Sequence, residues 1–248
     1  MGDNKLLVVY NTVGFPDIEN YNKAMKIVQE EGADIVELGI PPLYAKYDGP
    51  IIRASYQVVR SKYKSEELWK IIYNTRKDLG IPVVLLTYLE EWIYKINELL
   101  DNLHKYEIDA ILLPDLLIDF IDEYEKYINL LKDNKIKTVL FVTPTIPDHI
   151  ISKVQGLSDL FLYYGIRPTT GVEIPIDIFT LLRRIKGFIK NKLVVGFGLK
   201  SEDEIRNAVV AGADGVAIGS LIIEYIKNYN FNVLKEKIKK IRLILNEL

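Results

Sequence analysis

The sequence predicts an α/β protein, a closed (β/α)8 TIM-type barrel that forms one domain over residues 1–248. Three observations predict it. Short aliphatic runs alternate with longer amphipathic ones, and the alternation repeats eight times. The aliphatic runs are near-continuous, as parallel strands covered on both faces are. The chain has 248 residues, close to the ~250 that such a barrel takes. An open doubly wound sheet is the competitor. It wants a glycine fingerprint after its first strand, which Asn11-Thr12-Val13-Gly14-Phe15 does not supply.

Each element follows from local pattern. Leu6–Tyr10 reads as strand one. Asp17–Glu31 reads as a helix, with Ile18, Tyr21, Ala24, Met25 and Val28 near the 3.6-residue period, and Gly32 suits its stop. Asp34–Leu38 is strand two, with one acid, Glu37, among aliphatic residues; Gly39 and Pro41-Pro42 end it. The loop that follows carries a second acid, Asp48, between Tyr47 and Gly49-Pro50. Ser65–Asp78 is a helix opened by two glutamates and stopped near Gly80, and Pro82–Thr87 is strand three. Glu90–Tyr106 is helical, Ala110–Leu113 is strand four and Asp119–Asn134 is a helix. Thr138–Val142 is strand five, Pro147–Val154 a short helix and Leu160–Tyr163 strand six. Pro175–Lys190 is a helix and Leu193–Val195 strand seven. The helix Ser201–Ala211 opens with a capping box, Ser201 to Glu204. Gly215–Ile218 is strand eight, and helices from Leu221 and Asn232 close the chain.

Composition narrows the chemistry. A net charge of −2 favours neither a nucleic-acid backbone nor an anionic membrane. There are no cysteines, so thiolate chemistry and disulfides are excluded. His104 and His149 share no ligand spacing, so no metal site is expected. No apolar run nears the ~18 residues of a membrane span, and a soluble cytoplasmic protein is expected.

In such a barrel ligands bind at the C-terminal ends of the strands. There the sequence places Asn11 and Thr12, Glu37, Tyr88, Asp115, Thr143, Gly165 to Gly171, Gly196-Phe197-Gly198 and Gly219-Ser220. Glycine turns after strands seven and eight suit a phosphate, with Gly198 and Gly219 admitting it to backbone N–H groups. Ser220 adds a hydroxyl and Thr170-Gly171 a third side. With no thiol and no metal cluster, carboxylate acid/base chemistry by Glu37 and Asp48 is the main option. Burial should raise the Glu37 pKa, whereas Asp48, in a polar loop, should stay ionised. Asp115 reads as a loop cap or a supporting group. Tyr10, Leu86, Tyr88, Leu112, Leu162 and Phe197 are candidate walls of an apolar pocket for an aromatic substrate.

With those residues in place, the sequence resembles the α subunit of tryptophan synthase along almost its whole length. The most specific match is Glu37-Leu38-Gly39-Ile40-Pro41 followed by Asp48-Gly49-Pro50. Gly14-Phe15-Pro16, Asp115, Thr170-Gly171, Gly196-Phe197-Gly198 and Gly219-Ser220 continue it. The resemblance implies retro-aldol cleavage of indole-3-glycerol phosphate to indole and glyceraldehyde 3-phosphate. It implies Glu37 as the acid/base group and Asp48 as the carboxylate facing the indole N–H. Thr170, Gly171, Phe197, Gly198, Gly219 and Ser220 would hold the phosphate, and Tyr10, Leu86, Tyr88, Leu112 and Asp115 the indole end. It also implies a β-subunit partner in an αββα-type complex. Pyridoxal phosphate would belong to that partner, and this chain would carry no cofactor.

The chain departs from the family pattern in three places, one of them Arg167, which stands one place from the family's usual arginine. Only five residues precede strand one, where the family has a helix. Pro42 to Tyr47 replaces the family's usual loop. The altered loop keeps a second function open, a non-catalytic subunit that binds the ligand and activates a β-type partner. A third, another phosphate-binding barrel enzyme, lacks a catalytic Lys or His at a predicted strand end.

Overall fold

A computed structural model describes residues 4–166, 177–199 and 201–248. Its strands are β1 (Leu6–Thr12), β2 (Ile35–Gly39), β3 (Val83–Leu86), β4 (Ala110–Leu112), β5 (Thr138–Val142), β6 (Leu162–Gly165), β7 (Leu193–Gly196) and β8 (Gly215–Ile218). All pair in parallel, each with the next, and β8 returns to β1 through Leu6↔Gly215 to Val9↔Ile218. That last ladder closes the barrel and rules out the open sheet. Strand three lies within the expected span, and strands five and eight match it residue for residue. Strand six starts two places later than expected. A shift of two preserves which side chains face the barrel interior, because the strand period is two.

A repeated device ties the bottom of the barrel. Asp34, Asp109, Asp159 and Asp214 stand just ahead of β2, β4, β6 and β8. Each carboxylate accepts the backbone N–H at the start of the preceding strand: Leu7 at 2.7 Å, Val83 at 2.8 Å, Thr138 at 2.7 Å and Leu193 at 2.9 Å. Parallel strands leave those N–H groups outside the ladder, so a side chain must satisfy them. Arg242, Arg76 and Lys186 neutralise three of the four acids. This end of the barrel carries stability, which leaves the opposite end free for ligands.

The helices form an outer ring. α1 (Ile18–Glu30) is capped by Asp17, which accepts the Asn20 N–H at 3.0 Å. Tyr21, Ala24, Met25 and Val28 face the core as expected, but Ile18, in the first turn, is exposed. α2 (Pro50–Lys62) was not legible as a helix; its buried face mixes Ser55 and Tyr56 with Ile52 and Val59. α3 (Ser65–Asp78) has its expected bounds. The single helix expected over Glu90–Tyr106 is instead two 3-10 turns, Leu89–Glu91 and Ile93–Lys95, before α4 (Ile96–Lys105). The Asp115 carboxylate holds the Leu89 and Glu90 N–H groups there, at 2.8 and 2.9 Å.

α5 (Tyr124–Asp133) begins five residues later than expected, because the N–H groups of Ile118 and Asp119 turn back to the Asp115 carbonyl. α6 (Asp148–Val154) and α7 (Ile178–Lys186) follow; Pro175, the expected start of α7, lies outside the described residues. α8 (Glu202–Val210) has the expected capping box, with Ser201 Oγ accepting from Glu204 N at 3.1 Å and Glu204 from Ser201 N at 3.0 Å. α9 (Ser220–Lys227) and α10 (Phe231–Glu247) end the chain.

Gly215 shows how tightly β8 meets β1. A Cβ there would lie 2.5 Å from the Leu6 carbonyl oxygen, a backbone atom that cannot yield without breaking the closing ladder. Gly215→Ala is expected to destabilise by ~3 kcal/mol, in the range of severe overpacking. Chemical denaturation would check it, and an unchanged midpoint would contradict it.

Candidate active site

Glu37 stands opposite Tyr10 where β2 pairs with β1, and Asp48 lines the same cleft from the loop ahead of α2. Glu37 follows Val36 on the strand and turns into the barrel mouth, 2% exposed. Its Oε2 has no hydrogen-bond partner and no basic side chain pairs with it among the described residues. Burial first, and the Asp48 charge second, push its pKa up to about 8. A buried carboxyl oxygen without a partner is costly, and among the described residues no salt bridge offsets that cost.

Asp48 corrects an expectation. It does not sit in a solvated loop; it is 5% exposed, just ahead of α2 and its N-cap Gly49. Burial raises its pKa to about 6, against the Tyr88 hydrogen bond, the nearby Tyr56 hydroxyl and the charge of Arg53, which lower it. The Tyr88 phenol thus helps to keep it ionised near neutrality. Tyr88 Oη donates to Asp48 Oδ2 at 2.8 Å and accepts the Tyr47 N–H at 3.2 Å.

The loop between β2 and α2 is fastened on three sides. Arg53 donates to the Ala45 and Lys46 carbonyls, and Arg60 to those of Pro42 and Leu43. Glu91 accepts the Leu43 N–H at 2.8 Å, and Lys46 pairs with Glu90 and Asp119 at 2.6 and 3.1 Å. Tyr47 stacks on Tyr88, with centroids 6.1 Å apart, and its hydroxyl donates to Asp119 at 2.6 Å. The altered sequence of this loop still delivers Asp48 to the barrel mouth.

A cleft opens there, at the C-terminal ends of the strands. Of the residues named from the sequence, Tyr10, Glu37, Asp48, Leu86, Phe197, Gly198, Gly219 and Ser220 line it. Tyr88 hydrogen-bonds Asp48, Asp115 caps the 3-10 turn after β3, and Leu112 and Leu162 are buried; these four are not among the lining residues of the cleft. Thr170 and Gly171 lie outside the described residues.

Ile52, Tyr163, Leu199 and Ala217 line the cleft without having been singled out. Ile52 was missed with its helix. Tyr163 had a legible signal, being the residue of strand six that shares the inward parity of the site.

The glycines divide into two kinds. Gly198 has φ +115° and follows Phe197 at φ +63°, so the turn after β7 is left-handed at two successive positions. That geometry suits glycine and strains Phe197. Phe197 is held by the Phe141 ring at 4.8 Å and the Tyr163 ring at 5.9 Å. Gly196, in contrast, makes room: a Cβ would lie 2.2 Å from the Tyr163 hydroxyl. Gly219 caps α9 ahead of Ser220 and abuts the Tyr10 ring, where a Cβ would come to 3.2 Å. The N-terminus of α9, with its free N–H groups, thus faces the same cleft as the two acids. Among the described residues no group of three or more His, Asp or Glu could hold a metal ion, and no helix is long and apolar enough to cross a membrane.

Known proteins share this arrangement. Residues 2–247 match the family model described as tryptophan synthase alpha chain. The tryptophan synthase alpha chain of Saccharolobus solfataricus is 47% identical over 243 residues, covering 98% of each chain. That of Sulfurisphaera tokodaii is 46% identical with the same coverage of 98%. The solved alpha-subunit of Pyrococcus furiosus tryptophan synthase superposes with a TM-score of 0.82, at 27% identity and over 100% of both chains. The sequence motifs, the closed barrel and the relatives agree, and the chain belongs to the tryptophan synthase alpha chain family.

Proposed function

We propose that this chain cleaves indole-3-glycerol phosphate to indole and glyceraldehyde 3-phosphate by a retro-aldol reaction. The observation that carries the reading is the placement of two unlike carboxyls, Glu37 and Asp48, in one cleft with Gly198, Gly219 and Ser220. The phosphate sits against the N–H groups of Gly198, Gly219 and Ser220, where the α9 dipole favours an anion. That anchor turns the indole end toward the acids, and its binding energy is used for orientation.

Glu37, protonated near neutral pH, donates its proton to the indole ring carbon that bears the side chain. The ring nitrogen gains positive charge, and ionised Asp48 accepts its N–H and stabilises that charge. The Glu37 carboxylate then takes the proton of the neighbouring side-chain hydroxyl. The carbon–carbon bond breaks, its electron pair returns to the ring, and the hydroxyl carbon becomes the aldehyde. Glu37 ends protonated, as it began. No cofactor enters these steps. The indole passes to a tryptophan synthase β subunit, which would supply pyridoxal phosphate, in an αββα assembly of cytoplasmic enzymes.

The direct test is formation of glyceraldehyde 3-phosphate from the substrate, with and without a β subunit. Measurable cleavage by the wild-type chain is expected. Tight substrate binding with no cleavage in either case would instead favour the non-catalytic activating subunit.

The pKa values give a further prediction. The active free form has Glu37 protonated and Asp48 ionised, so kcat/KM should be bell-shaped, with an acid limb near about 6 and a basic limb near about 8. Below the first, Asp48 gains a proton; above the second, Glu37 loses one. The limbs belong to the coupled pair. A rate that climbs through the upper limb would remove Glu37 as the initial acid.

A further inference from the structure

We propose that Asp119 is a positioning residue for Asp48 and acts on it through Tyr47. It closes a ring of contacts across the loops that follow β2, β3 and β4, and the ring holds the Asp48 carboxylate at the cleft. The inference rests on the reading of Asp48 as a group that acts on the substrate.

The ring can be followed atom by atom. Lys46 Nζ pairs with Glu90 Oε2 at 2.6 Å and with Asp119 Oδ2 at 3.1 Å. The Glu90 backbone N–H donates to Asp115 Oδ2 at 2.9 Å. The Asp119 backbone N–H donates to the Asp115 carbonyl at 2.8 Å. Asp115 is fully buried, so the ring is seated on a fixed point. The loop after β2 is thereby tied to the turns after β3 and β4, and those turns to each other. Lys46 and Glu90 are partly exposed, and an exposed ion pair holds little by itself.

Tyr47 supplies the stronger tie. Its hydroxyl donates to Asp119 Oδ1 at 2.6 Å, a charge-assisted bond. Its ring lies on the Tyr88 ring, 9° from parallel. Its backbone N–H donates to Tyr88 Oη at 3.2 Å. Tyr88 has one hydroxyl hydrogen, and it goes to Asp48 Oδ2 at 2.8 Å. Tyr47 therefore reaches Asp48 twice, through the peptide bond and through Tyr88. The directions are set by atom type, since a backbone N–H only donates and an ionised carboxylate only accepts. Burial first, and the Asp119 hydrogen bond second, push the Tyr47 hydroxyl above its ordinary pKa, so it stays a donor.

Lys46 and Tyr47 both fall in Pro42 to Tyr47, the stretch that departs from the family pattern. That departure brings in the two side chains that reach Asp119. Asp119 is not among the lining residues of the cleft, so it serves the reaction by alignment alone. A misplaced carboxylate costs rate at the developing charge, while the phosphate end still binds.

The test measures hydrogen exchange of the Tyr47 amide and steady-state cleavage in the full chain. In Asp119→Ala the amide should exchange about tenfold faster, as for one lost charge-assisted hydrogen bond. There kcat should fall roughly tenfold with KM within about twofold. Tyr47→Phe keeps the ring stack and loses only the hydroxyl, so both readouts should move the same way. Asp119→Asn keeps an acceptor for that hydroxyl and should restore both to within about threefold of wild type.

Unchanged exchange of the Tyr47 amide in Asp119→Ala and in Tyr47→Phe would overturn the proposal. So would faster exchange with an unchanged kcat, which would make the ring structural only. Asp119→Asn as impaired as Asp119→Ala would overturn the route through Tyr47. If Asp119→Ala does not fold, Tyr47→Phe decides. The exchange measurement needs no turnover. A wild-type chain that cleaves nothing would therefore count against the lyase reading, while the amide still judges the ring.

Discussion

Glu37→Gln is expected to lower kcat by ~10³–10⁴-fold, the upper part of the range for acid/base groups, because one side chain serves both proton transfers. The amide can neither donate the proton that starts the reaction nor accept the one that ends it. KM should stay near the wild-type value, since the phosphate end of the substrate does not depend on Glu37. The thermal midpoint should hold or rise. The wild-type carboxyl is buried with an oxygen that has no hydrogen-bond partner among the described residues, and its removal relieves a cost that serves only function. Steady-state kinetics and a melting curve on the same sample check both halves. Undiminished turnover would remove Glu37 from the mechanism. A large fall in melting temperature would mean that its role is structural.

Asp48→Asn should lower kcat by ~10²–10³-fold, as expected for a lost preorganised charge at a developing positive centre. The amide oxygen can still accept the ring N–H, so binding is kept better than rate. A second effect follows from proximity. The Asp48 charge raises the Glu37 pKa, so its removal should move the basic limb of the pH profile to lower pH. A rate loss with an unmoved basic limb would mean that the two carboxyls are not coupled in solution. No rate loss would leave Asp48 as a structural turn residue.

The parts of the molecule legible in the sequence are those governed by local pattern. Parallel strands buried on both faces must be aliphatic, so eight such runs could be counted, and all eight form the barrel. The capping box at Ser201 is a contact between residues three apart, and it was read as easily. The helix over Glu90–Tyr106 failed for the opposite reason. Its first turns are set by Asp115, some 25 positions further along the chain, and no local pattern reports a distant acceptor.

The site shows the same division. Glu37, Asp48, Gly198, Gly219 and Ser220 were found from residue type and from their place after strands, because the barrel sends every strand's C-terminal end to one face. Residue type and position pointed to these two acids. They did not reveal that Asp48 is buried or that the Tyr88 hydroxyl donates to it. Those depend on how the loop ahead of α2 packs against the turn that follows β3. The ionisation states of the two carboxyls are therefore tertiary properties: they come from burial and from donors brought in by separate elements, and a residue's identity alone does not set them.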